Sequence, residues 1–486
     1  MELSERKPMN TLILFCDQHN ASITGCYGNP KVHTPNIDAL ALRGCRFENA
    51  YTTTPLCVPA RASMATGNYP FAGGFWDNAH PFAGKQTSWG ARLKEHGNRV
   101  SAIGKLHFQD EREETFPGQR IPMNVSKGVG DLMTALRSSE GSTPALRNQI
   151  QSAGAGDSDY LHYDRKIAQM AADFLRREAP REKEPWCLYV GFTTPHYPLK
   201  VPPELLRLYE PFDQFPVDKE WEHPQMLHPA LQKYKETTQL NQKIQKEELQ
   251  KAIAVYYAMV TFMDQQVGVV LDALMQAGLE DSTRILYSDD HGDSAGEHGL
   301  FFKSTMNEGS VRIPLILAGP DLPKNQTVHS CVSIVDYYPT ILDWMGIERT
   351  PEEKQLPGIS LMDVLDGKAD PSRCVFSEYH AAGFADSVFM TRKGDYKRID
   401  YMGYDRPQLF CLSEDPLETM DLAGNAEYQD VLRDLGEELR RICNPEELSR
   451  KSMEDQKKLI QSMGGPEAIA RKGLTPFSAV PEGLGM

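Results

Sequence analysis

The segment from Cys57 to Gly67 is the part of the chain best suited to chemistry. It reads CVPARASMATG, so proline and arginine follow the cysteine at alternate positions, and a serine and a threonine-glycine pair come later. Pro59 favours the first turn of a helix and Gly67 favours its end, which puts Cys57 at a helix amino terminus, where free N–H groups attract an anion. Two other interpretations of Cys57 are open. It could be a buried cysteine with a structural role only. It could also be a thiolate nucleophile activated by Arg61 and the helix dipole, but neither flanking segment supplies a histidine that could act as the base for the thiol.

Four apolar runs along the chain end abruptly in polar residues. Buried parallel strands have this pattern, and open α/β sheets bind their ligands at the carboxyl ends of such strands. The runs cover residues 11–16, 100–104, 186–192 and 284–288. The polar residues that follow them include Asp17, Gln18, Lys105, His107, His196, Asp289, Asp290 and His291. We therefore expect these side chains to meet at one edge of a sheet.

These strands predict an α/β fold with a large central, mostly parallel sheet flanked by helices, extending over residues 1–368. The longest predicted helix spans residues 246–279, where apolar side chains recur at helical spacing, and it ends near Gly278. Residues 138–159 are rich in glycine and serine, and residues 202–248 are rich in proline and charge. Both stretches are predicted to be insertions outside the core.

The pattern changes near residue 369, and residues 369–486 are predicted to form a smaller α+β domain. Short strands are expected at residues 374–377 and 395–399, and a helix at 426–442. The last forty or so residues are polar and punctuated by glycine and proline, which predicts an extended tail over the surface or over a neighbouring subunit. We accordingly expect a homo-oligomer.

Composition and charge narrow the classes of partner. The chain has 486 residues, of which 40% are hydrophobic, so a large core can form. Its 52 basic and 67 acidic residues give a net charge of −15, which would repel nucleic acid. Nine cysteines are scattered without paired spacing, which indicates reduced thiols. The charged start and the absence of an apolar run of about 18 residues predict a cytoplasmic protein with no signal peptide and no membrane segment.

Segments in the same order along most of the chain resemble the type I sulfatases of the alkaline phosphatase-like superfamily. The matching segments are residues 12–18, 36–41, 57–67, 104–107, 195–196, 288–300, 311–315, 408–410 and 415–418. Residues 73–80 are most similar to choline sulfatases and their phosphonate monoester hydrolase relatives. In this family a dedicated generating enzyme oxidises the signature cysteine to formylglycine. The resemblance therefore implies that Cys57 is modified and that this enzyme is a maturation partner.

The resemblance also implies one divalent metal ion. Its ligands would be four side chains and an oxygen of the modified cysteine: Asp17, Gln18, Asp290, His291 and Cys57. Carboxylate and amide oxygens suit Ca²⁺, the expected ion, or Mg²⁺, and a single imidazole leaves Mn²⁺ open. Many sulfatases have a second aspartate where Gln18 stands, so the metal's identity stays open. Asp290 is preferred to Asp289 because the order Asp-His-Gly matches the family.

The remaining polar residues acquire roles from the same resemblance. Hydrated formylglycine carries two hydroxyls on one carbon, so one can attack sulfur and the other can later expel sulfate by collapse to the aldehyde. Arg61 and Lys105 would hold formylglycine and sulfate oxygens, and His107 would remove the proton that drives the collapse. His196 and Lys303 would face the leaving oxygen and neutralise or protonate it.

The expected substrate is a small-molecule sulfate monoester. Asn78 matches a residue that faces the sulfate in choline sulfatases, and Trp76 with Asp77 could line a site for a quaternary ammonium group. Alternatively, Trp76 packs in the core. A phosphonate monoester or phosphodiester resembles a sulfate monoester in charge and shape and is the alternative substrate. A non-catalytic binding protein on the same fold is the second alternative, although none of the implied site residues is missing.

Overall fold

The computed structural model describes residues 7–137, 145–221, 223, 226–472 and 478–485. In chain order the strands are β1 (Asn10–Asp17), β2 (Gly44–Tyr51), β3 (Arg99–Lys105), β4 (Gln119–Met123), β5 (Gly154–Ala155), β6 (Trp186–Pro195), β7 (Lys200–Val201), β8 (Thr283–Asp289), β9 (Leu315–Ala318), β10 (Gln326–Ser333), β11 (Cys374–Tyr379), β12 (Val388–Lys393), β13 (Tyr396–Tyr401) and β14 (Gln408–Cys411).

The α-helices lie between and after these strands. They are α1 (Pro35–Leu42), α2 (Cys57–Thr66), α3 (Pro70–Gly73), α4 (Trp89–Glu95), α5 (Ala145–Gln151), α6 (Asp159–Asp173), α7 (Pro203–Leu206), α8 (Pro229–Thr237), α9 (Lys246–Gln276), α10 (Glu308–Val311), α11 (Tyr337–Trp344), α12 (Leu361–Leu365), α13 (Gln429–Ile442), α14 (Pro445–Ser462) and α15 (Pro466–Lys472).

The central sheet has eight strands in the order β10-β2-β9-β8-β1-β6-β3-β4. Neighbouring strands are parallel except where β9 runs antiparallel to β2 and β8. The predicted mostly parallel sheet is therefore confirmed. Because β1, β3, β6 and β8 run in one direction, their carboxyl ends lie at the same edge of the sheet.

Both faces of the sheet are buried. Leu12, Leu14 and Cys16 of β1 belong to one core cluster, whereas Ile13 and Phe15 belong to another. Successive side chains of a strand point to opposite faces, so this alternation places a helical layer on each side. The first layer includes α6 and α9, and the second includes α2 and α11. The continuous apolar run of β1 follows from burial on both faces.

The longest helix is confirmed, but the two stretches predicted as insertions contribute to the core. Helix α9 ends at Gln276, close to the predicted terminator Gly278, which has a φ of 67°. Within residues 202–248, the side chains of Tyr209, Phe215 and Tyr234 are buried in the main cluster. The prediction was wrong because these isolated aromatic residues provide enough apolar surface for burial, although prolines and charged residues surround them in the sequence. In the other stretch, residues 138–144 lie outside the described residues, whereas α5 and β5 follow them.

The smaller domain is built on an antiparallel sheet in the order β11-β12-β13-β14, against which α13 packs. This confirms the predicted α+β character, although the boundary at residues 368/369 stays a prediction. Much of the stretch predicted as an extended tail is helical, since α14 and α15 cover residues 445–472. Polar residues on the exposed faces of these helices produce the tail-like composition.

Two further sequence expectations concern the molecule as a whole. The nine cysteines are free thiols, as their scattered spacing predicts. Within the described ranges, no helix combines the length and the apolar character needed to span a membrane. The homo-oligomer and the cytoplasmic location stay predictions.

Candidate active site

Cys57 is the first residue of α2, as the sequence predicts. The helix begins after the extended residue Leu56 and ends at Gly67, whose φ is 68°. The Cys57 side chain is 1% exposed, so it faces the interior. Beside it, the Val58 N–H donates a hydrogen bond of 3.2 Å to Asn78 Oδ1. Asn78 therefore lies at the same helix terminus as the cysteine.

A group of potential metal ligands surrounds the Cys57 sulfur. Ligand atoms of Asp17, Cys57, Asp290 and His291 all lie within 4.8 Å of one another, and all four side chains are buried. The sulfur is 3.2 Å from His291 Nε2 and 3.7 Å from Asp17 Oδ1. Asp289 is outside this group, and its Oδ1 accepts a hydrogen bond of 3.2 Å from the His291 N–H.

Gln18 adds an uncommitted oxygen beside this group. Its Nε2 donates a hydrogen bond of 2.6 Å to Asp293 Oδ2, whereas its Oε1 is buried and has no hydrogen-bond partner among the residues that the structure describes. A buried unpartnered carbonyl is costly unless a ligand or water satisfies it. The backbone N–H of Gln18 donates to Asp290 Oδ1 at 3.3 Å, so the residue is tied to the cluster.

The chemistry of this donor set fits a divalent cation. Burial lowers the pKa of His291 to about 4, so the ring is neutral and one nitrogen can act as a ligand. Two carboxylates and the Gln18 Oε1 supply hard oxygen donors. Burial and then the nearby Asp17 charge raise the pKa of the Cys57 thiol to about 11, which disfavours a thiolate nucleophile. The thiol sulfur occupies the place that an oxygen of an oxidised residue 57 would take.

Arg61 and Lys105 bind the carboxylates of the cluster. Arg61 donates from Nε to Asp290 Oδ2 at 2.8 Å and from Nη2 to Asp17 Oδ2 at 3.0 Å. Lys105 Nζ lies 2.7 Å from Asp17 Oδ2. Tyr189, which the sequence does not single out, accepts a hydrogen bond of 3.0 Å from Arg61. These two cations therefore orient Asp17 and Asp290, and their implied contacts with formylglycine and sulfate stay a prediction.

Lys303 and His196 form a contacting pair beside the sulfur. Lys303 Nζ donates a hydrogen bond of 2.8 Å to Cys57 Sγ and is also 2.8 Å from His196 Nε2. Burial alone would lower the pKa of Lys303, but Cys57, Tyr197 and Asp17 raise it above its usual value. Burial and the Lys303 charge hold the pKa of His196 well below its usual range. The pair is thus a cationic lysine beside a neutral histidine.

His107 is buried at the carboxyl end of β3 with a φ of 59°. Its pKa lies well below the usual value because of burial and then the positive charges of Lys105 and Arg61. Its Nε2 is 2.6 Å from Ser478 Oγ, and within the described part of the chain its Nδ1 has no hydrogen-bond partner. The sequence gives no signal for Ser478, because the contact joins positions far apart along the chain.

Trp76 and Asp77, which could line a site for a quaternary ammonium group, are packed against residues of the smaller domain. Trp76 is 2% exposed, and its Nε1 donates a hydrogen bond of 3.2 Å to Asp455 Oδ2. Its ring meets His380 edge-on with 5.2 Å between centroids. Asp77 accepts a hydrogen bond of 2.7 Å from Gln456 Nε2. These contacts favour packing for Trp76 over an ammonium-binding wall.

Comparison with known proteins agrees with this geometry. Residues 9–347 match the family model described as Sulfatase, and residues 296–444 match the model described as N-sulphoglucosamine sulphohydrolase, C-terminal. The chain is 31% identical to choline-sulfatase from Rhizobium meliloti (strain 1021), covering 86% of this chain and 82% of that protein. It is 30% identical to arylsulfatase K from Bos taurus, covering 90% and 82% respectively.

The fold is also that of solved structures. Phosphonate monoester hydrolase of Agrobacterium radiobacter superimposes with a TM-score of 0.71 at 24% identity, covering 90% of this chain and 95% of that chain. This likeness concerns the fold. Together with the family model that spans most of the chain and the relative at 31% identity, it leads to one conclusion. The chain belongs to the sulfatase family of enzymes, in the alkaline phosphatase-like superfamily.

Proposed function

We propose that this protein hydrolyses a small-molecule sulfate monoester, with residue 57 acting after oxidation to formylglycine. The observation that carries the proposal is the position of the Cys57 sulfur. It lies 3.7 Å from Asp17 Oδ1 and 3.2 Å from His291 Nε2 in the ligand cluster, and 2.8 Å from Lys303 Nζ outside it. A reacting atom at this point would meet a metal site and a cation together.

Four side chains would hold the metal ion: Asp17, Gln18, Asp290 and His291. A bound divalent cation would supply the Lewis acidity that makes a hydroxyl of residue 57 nucleophilic at neutral pH. Arg61 prepares the site by holding Asp17 and Asp290 in fixed orientations, so little reorganisation is needed. Asn78, whose side chain accepts a hydrogen bond from the Val58 N–H at the start of α2, would help to orient the sulfate.

We assign stabilisation of the leaving oxygen to Lys303, which carries the positive charge. His196 Nδ1 is 2.7 Å from the Tyr197 carbonyl oxygen, so this nitrogen donates its proton there and leaves Nε2 as the acceptor for Lys303. The histidine thus orients the ammonium group. His107 would take the proton from the second hydroxyl of residue 57 when sulfate is released.

Mass spectrometry and sulfate release together test this function. We would produce the protein beside a formylglycine-generating enzyme and compare the Cys57 peptide with the Cys187 peptide, which carries another fully buried cysteine. The Cys57 peptide should lose sulfur and two hydrogens and gain one oxygen, whereas the Cys187 peptide should stay unchanged. Full activity in protein that contains only thiol at position 57 would contradict the proposed mechanism.

Two variants test the site itself, each against a matched control. Cys57→Ala removes the nucleophile and Asp290→Asn removes a ligand charge, so both should abolish sulfate release from an aryl sulfate, a loss of at least about 10³-fold. Cys187→Ala and the exposed Asp430→Asn should retain activity. Retained turnover in both site variants would place the reaction elsewhere.

A substrate panel separates the alternatives. Choline, aryl, sugar and alkyl sulfates would be compared with the matching phosphonate monoesters and phosphodiesters by kcat/KM. Higher kcat/KM for the phosphorus esters would favour the phosphonate monoester hydrolase alternative. If protein with modified residue 57 and bound metal hydrolyses none of them, the non-catalytic binding protein becomes the better interpretation.

A further inference from the structure

The segment 478–485 returns to the central sheet domain and reaches the candidate active site. Ser478 Oγ lies 2.6 Å from His107 Nε2. The Ser478 carbonyl accepts a hydrogen bond of 2.9 Å from the Tyr160 hydroxyl. The Tyr160 ring in turn meets His196 edge-on at 5.9 Å between centroids. Ser478 is therefore held by His107 and by Tyr160, whose ring also contacts His196.

Apolar contacts anchor this segment. Val480 and Leu484 are partly buried and pack against the main core cluster. The Leu484 N–H donates a hydrogen bond of 3.1 Å to the Pro481 carbonyl, which makes a turn. A Cβ added to Gly485 would lie 2.6 Å from Asp159 Oδ1, so the segment is closely packed at the start of α6. Ser478 thus belongs to a segment that packs against the core and contacts α6.

Neither matched family model extends to this segment. The Sulfatase match ends at residue 347 and the C-terminal match ends at residue 444. The family match therefore assigns Ser478 no role, and any role must be argued from its contacts in this chain.

The contact with His107 decides which ring nitrogen carries the proton. A neutral imidazole has one N–H and one lone pair, and the partner of one nitrogen fixes the tautomer. If Nε2 donates to Ser478 Oγ, the lone pair stays on Nδ1, which is buried and has no partner among the described residues. We propose that Ser478 is a positioning residue that holds His107 in the tautomer whose Nδ1 accepts a proton.

This inference rests on the proposed function, because it concerns the step that His107 would serve. In that step the second hydroxyl of residue 57 gives its proton to His107 Nδ1, its C–O bond becomes the aldehyde C=O bond, and the C–O bond to sulfate breaks. The sulfate leaves with the electron pair of the broken bond. Loss of the correct tautomer should slow this release and leave the earlier departure of the alcohol unaffected.

The test uses two substitutions of the same shape. Ser478→Thr keeps a hydroxyl, whereas Ser478→Val replaces it with a methyl group. We expect the valine variant to have a kcat about 10-fold lower than the threonine variant and an unchanged kcat/KM, because departure of the alcohol is unaffected and KM therefore falls together with kcat. Glu482→Gln, an exposed change in the same segment, should match the unsubstituted protein. Equal kcat in the valine and threonine variants would overturn the inference, provided that both have the thermal stability of the parent.

Rapid kinetics show which step is slowed. With an aryl sulfate, the valine variant should release a burst of about one equivalent of phenol per site and then turn over slowly, because sulfate stays on residue 57. A merely structural effect would slow the burst and the later turnover alike, and that result would refute the positioning role.

The tautomer can be measured without turnover. Nitrogen-15 NMR shifts of His107, assigned with a His107→Asn variant, should show an Nε2–H tautomer in the threonine variant and a mixture in the valine variant. Identical shifts would contradict the inference. If the unsubstituted protein is modified at residue 57 and hydrolyses no sulfate, the proposed function fails, whereas the tautomer measurement still decides the role of Ser478.

Discussion

At the residue scale, the side chains around Cys57 divide into potential metal ligands, cations that orient them, and a lysine that faces the sulfur. Asp17, Asp290 and His291 belong to the first group, and Arg61 binds both carboxylates. Lys303 alone donates a hydrogen bond to Cys57 Sγ among the described cations. Lys303 is therefore the residue best placed to stabilise the negative charge that would develop on a departing oxygen.

Replacing Lys303 with methionine should change the dependence of rate on the leaving group. An alkyl alkoxide needs charge stabilisation far more than a phenolate does, so kcat/KM should fall about 10³-fold for an alkyl sulfate and about 10-fold for an activated aryl sulfate. The measurement is kcat/KM across a series of esters of graded leaving-group pKa, with the exposed Lys233→Met as control. Equal losses along the series would remove Lys303 from this role.

Gln18 gives a test of metal binding that does not depend on activity. Substitution by aspartate adds a negative charge beside the cluster and removes the hydrogen bond that Gln18 Nε2 donates to Asp293. Without metal the aspartate variant should be less stable than the parent. On addition of Ca²⁺ its stability should rise more than that of the parent. Each tenfold gain in affinity adds about 1.4 kcal/mol of stabilisation at a saturating metal concentration.

The measurement for Gln18 is the melting temperature with and without CaCl₂ or MnCl₂. Gln18→Met, which has no oxygen, is the matched control and should show a smaller metal-induced rise than the parent. An identical rise in all three proteins would mean that residue 18 does not bind the ion.

At the scale of elements, the sequence predicts the long strands at the centre of the large sheet, which are buried on both faces, and misses the strands of that sheet that mix polar with apolar residues. The apolar runs of β1, β6 and β8 are continuous, so they stand out. β2 and β10 mix polar with apolar residues and pair with each other toward one end of the sheet, where the first residues of β10 are exposed. The polar residues at the ends of β1, β6 and β8 could be predicted too, because they follow directly after continuous apolar runs.

The start and end of α2 could also be predicted, and its end provides a stability test. Gly67 and Gly278 both follow helices and have φ values of 68° and 67°. A Cβ at Gly67 would lie 2.7 Å from Tyr338 Cβ, whereas a Cβ at Gly278 would have no atom of the described residues within 4 Å. Alanine costs about 1 kcal/mol of backbone strain at either position, and at Gly67 steric overlap adds about 1–3 kcal/mol.

We therefore expect Gly67→Ala to lower the urea midpoint clearly more than Gly278→Ala does. Because α2 carries Cys57 at its other end, sulfate release should fall in the first variant and not in the second. Equal midpoints would show that Tyr338 moves aside without cost.

At the scale of the whole molecule, the two domains meet through buried polar contacts that the sequence does not reveal. Residues 308, 397 and 418 are separated along the chain, and each resembles an ordinary surface charge in the sequence. In the structure Lys397 of β13 is fully buried, with Nζ 2.9 Å from Glu308 Oε1 and 2.8 Å from Glu418 Oε1. Only the packed tertiary structure brings these charges together, as it does Ser478 and His107.

These charges connect the smaller domain to the segment that bears Lys303. Glu418 Oε2 accepts hydrogen bonds of 2.7 Å from the Glu308 N–H and 3.2 Å from Asn307 Nδ2. Asn307 and Glu308 follow Lys303 by four and five residues. The smaller domain therefore helps to fix the segment that places Lys303 against Cys57.

Substitution of Lys397 by methionine should destabilise the protein strongly, because it leaves the buried Glu418 without its cation. Breaking a buried ion pair from one side costs about 3–5 kcal/mol, whereas Arg406→Met, which breaks the largely exposed pair with Asp421, should cost less than about 1 kcal/mol. The double variant Lys397→Met/Glu418→Gln should recover part of the loss, because the unpaired charge is then removed as well. Urea unfolding measures all of these changes. A Lys397→Met variant as stable as Arg406→Met would mean that Glu418 is neutral or hydrated, and the smaller domain would then hold the Lys303 segment by packing alone.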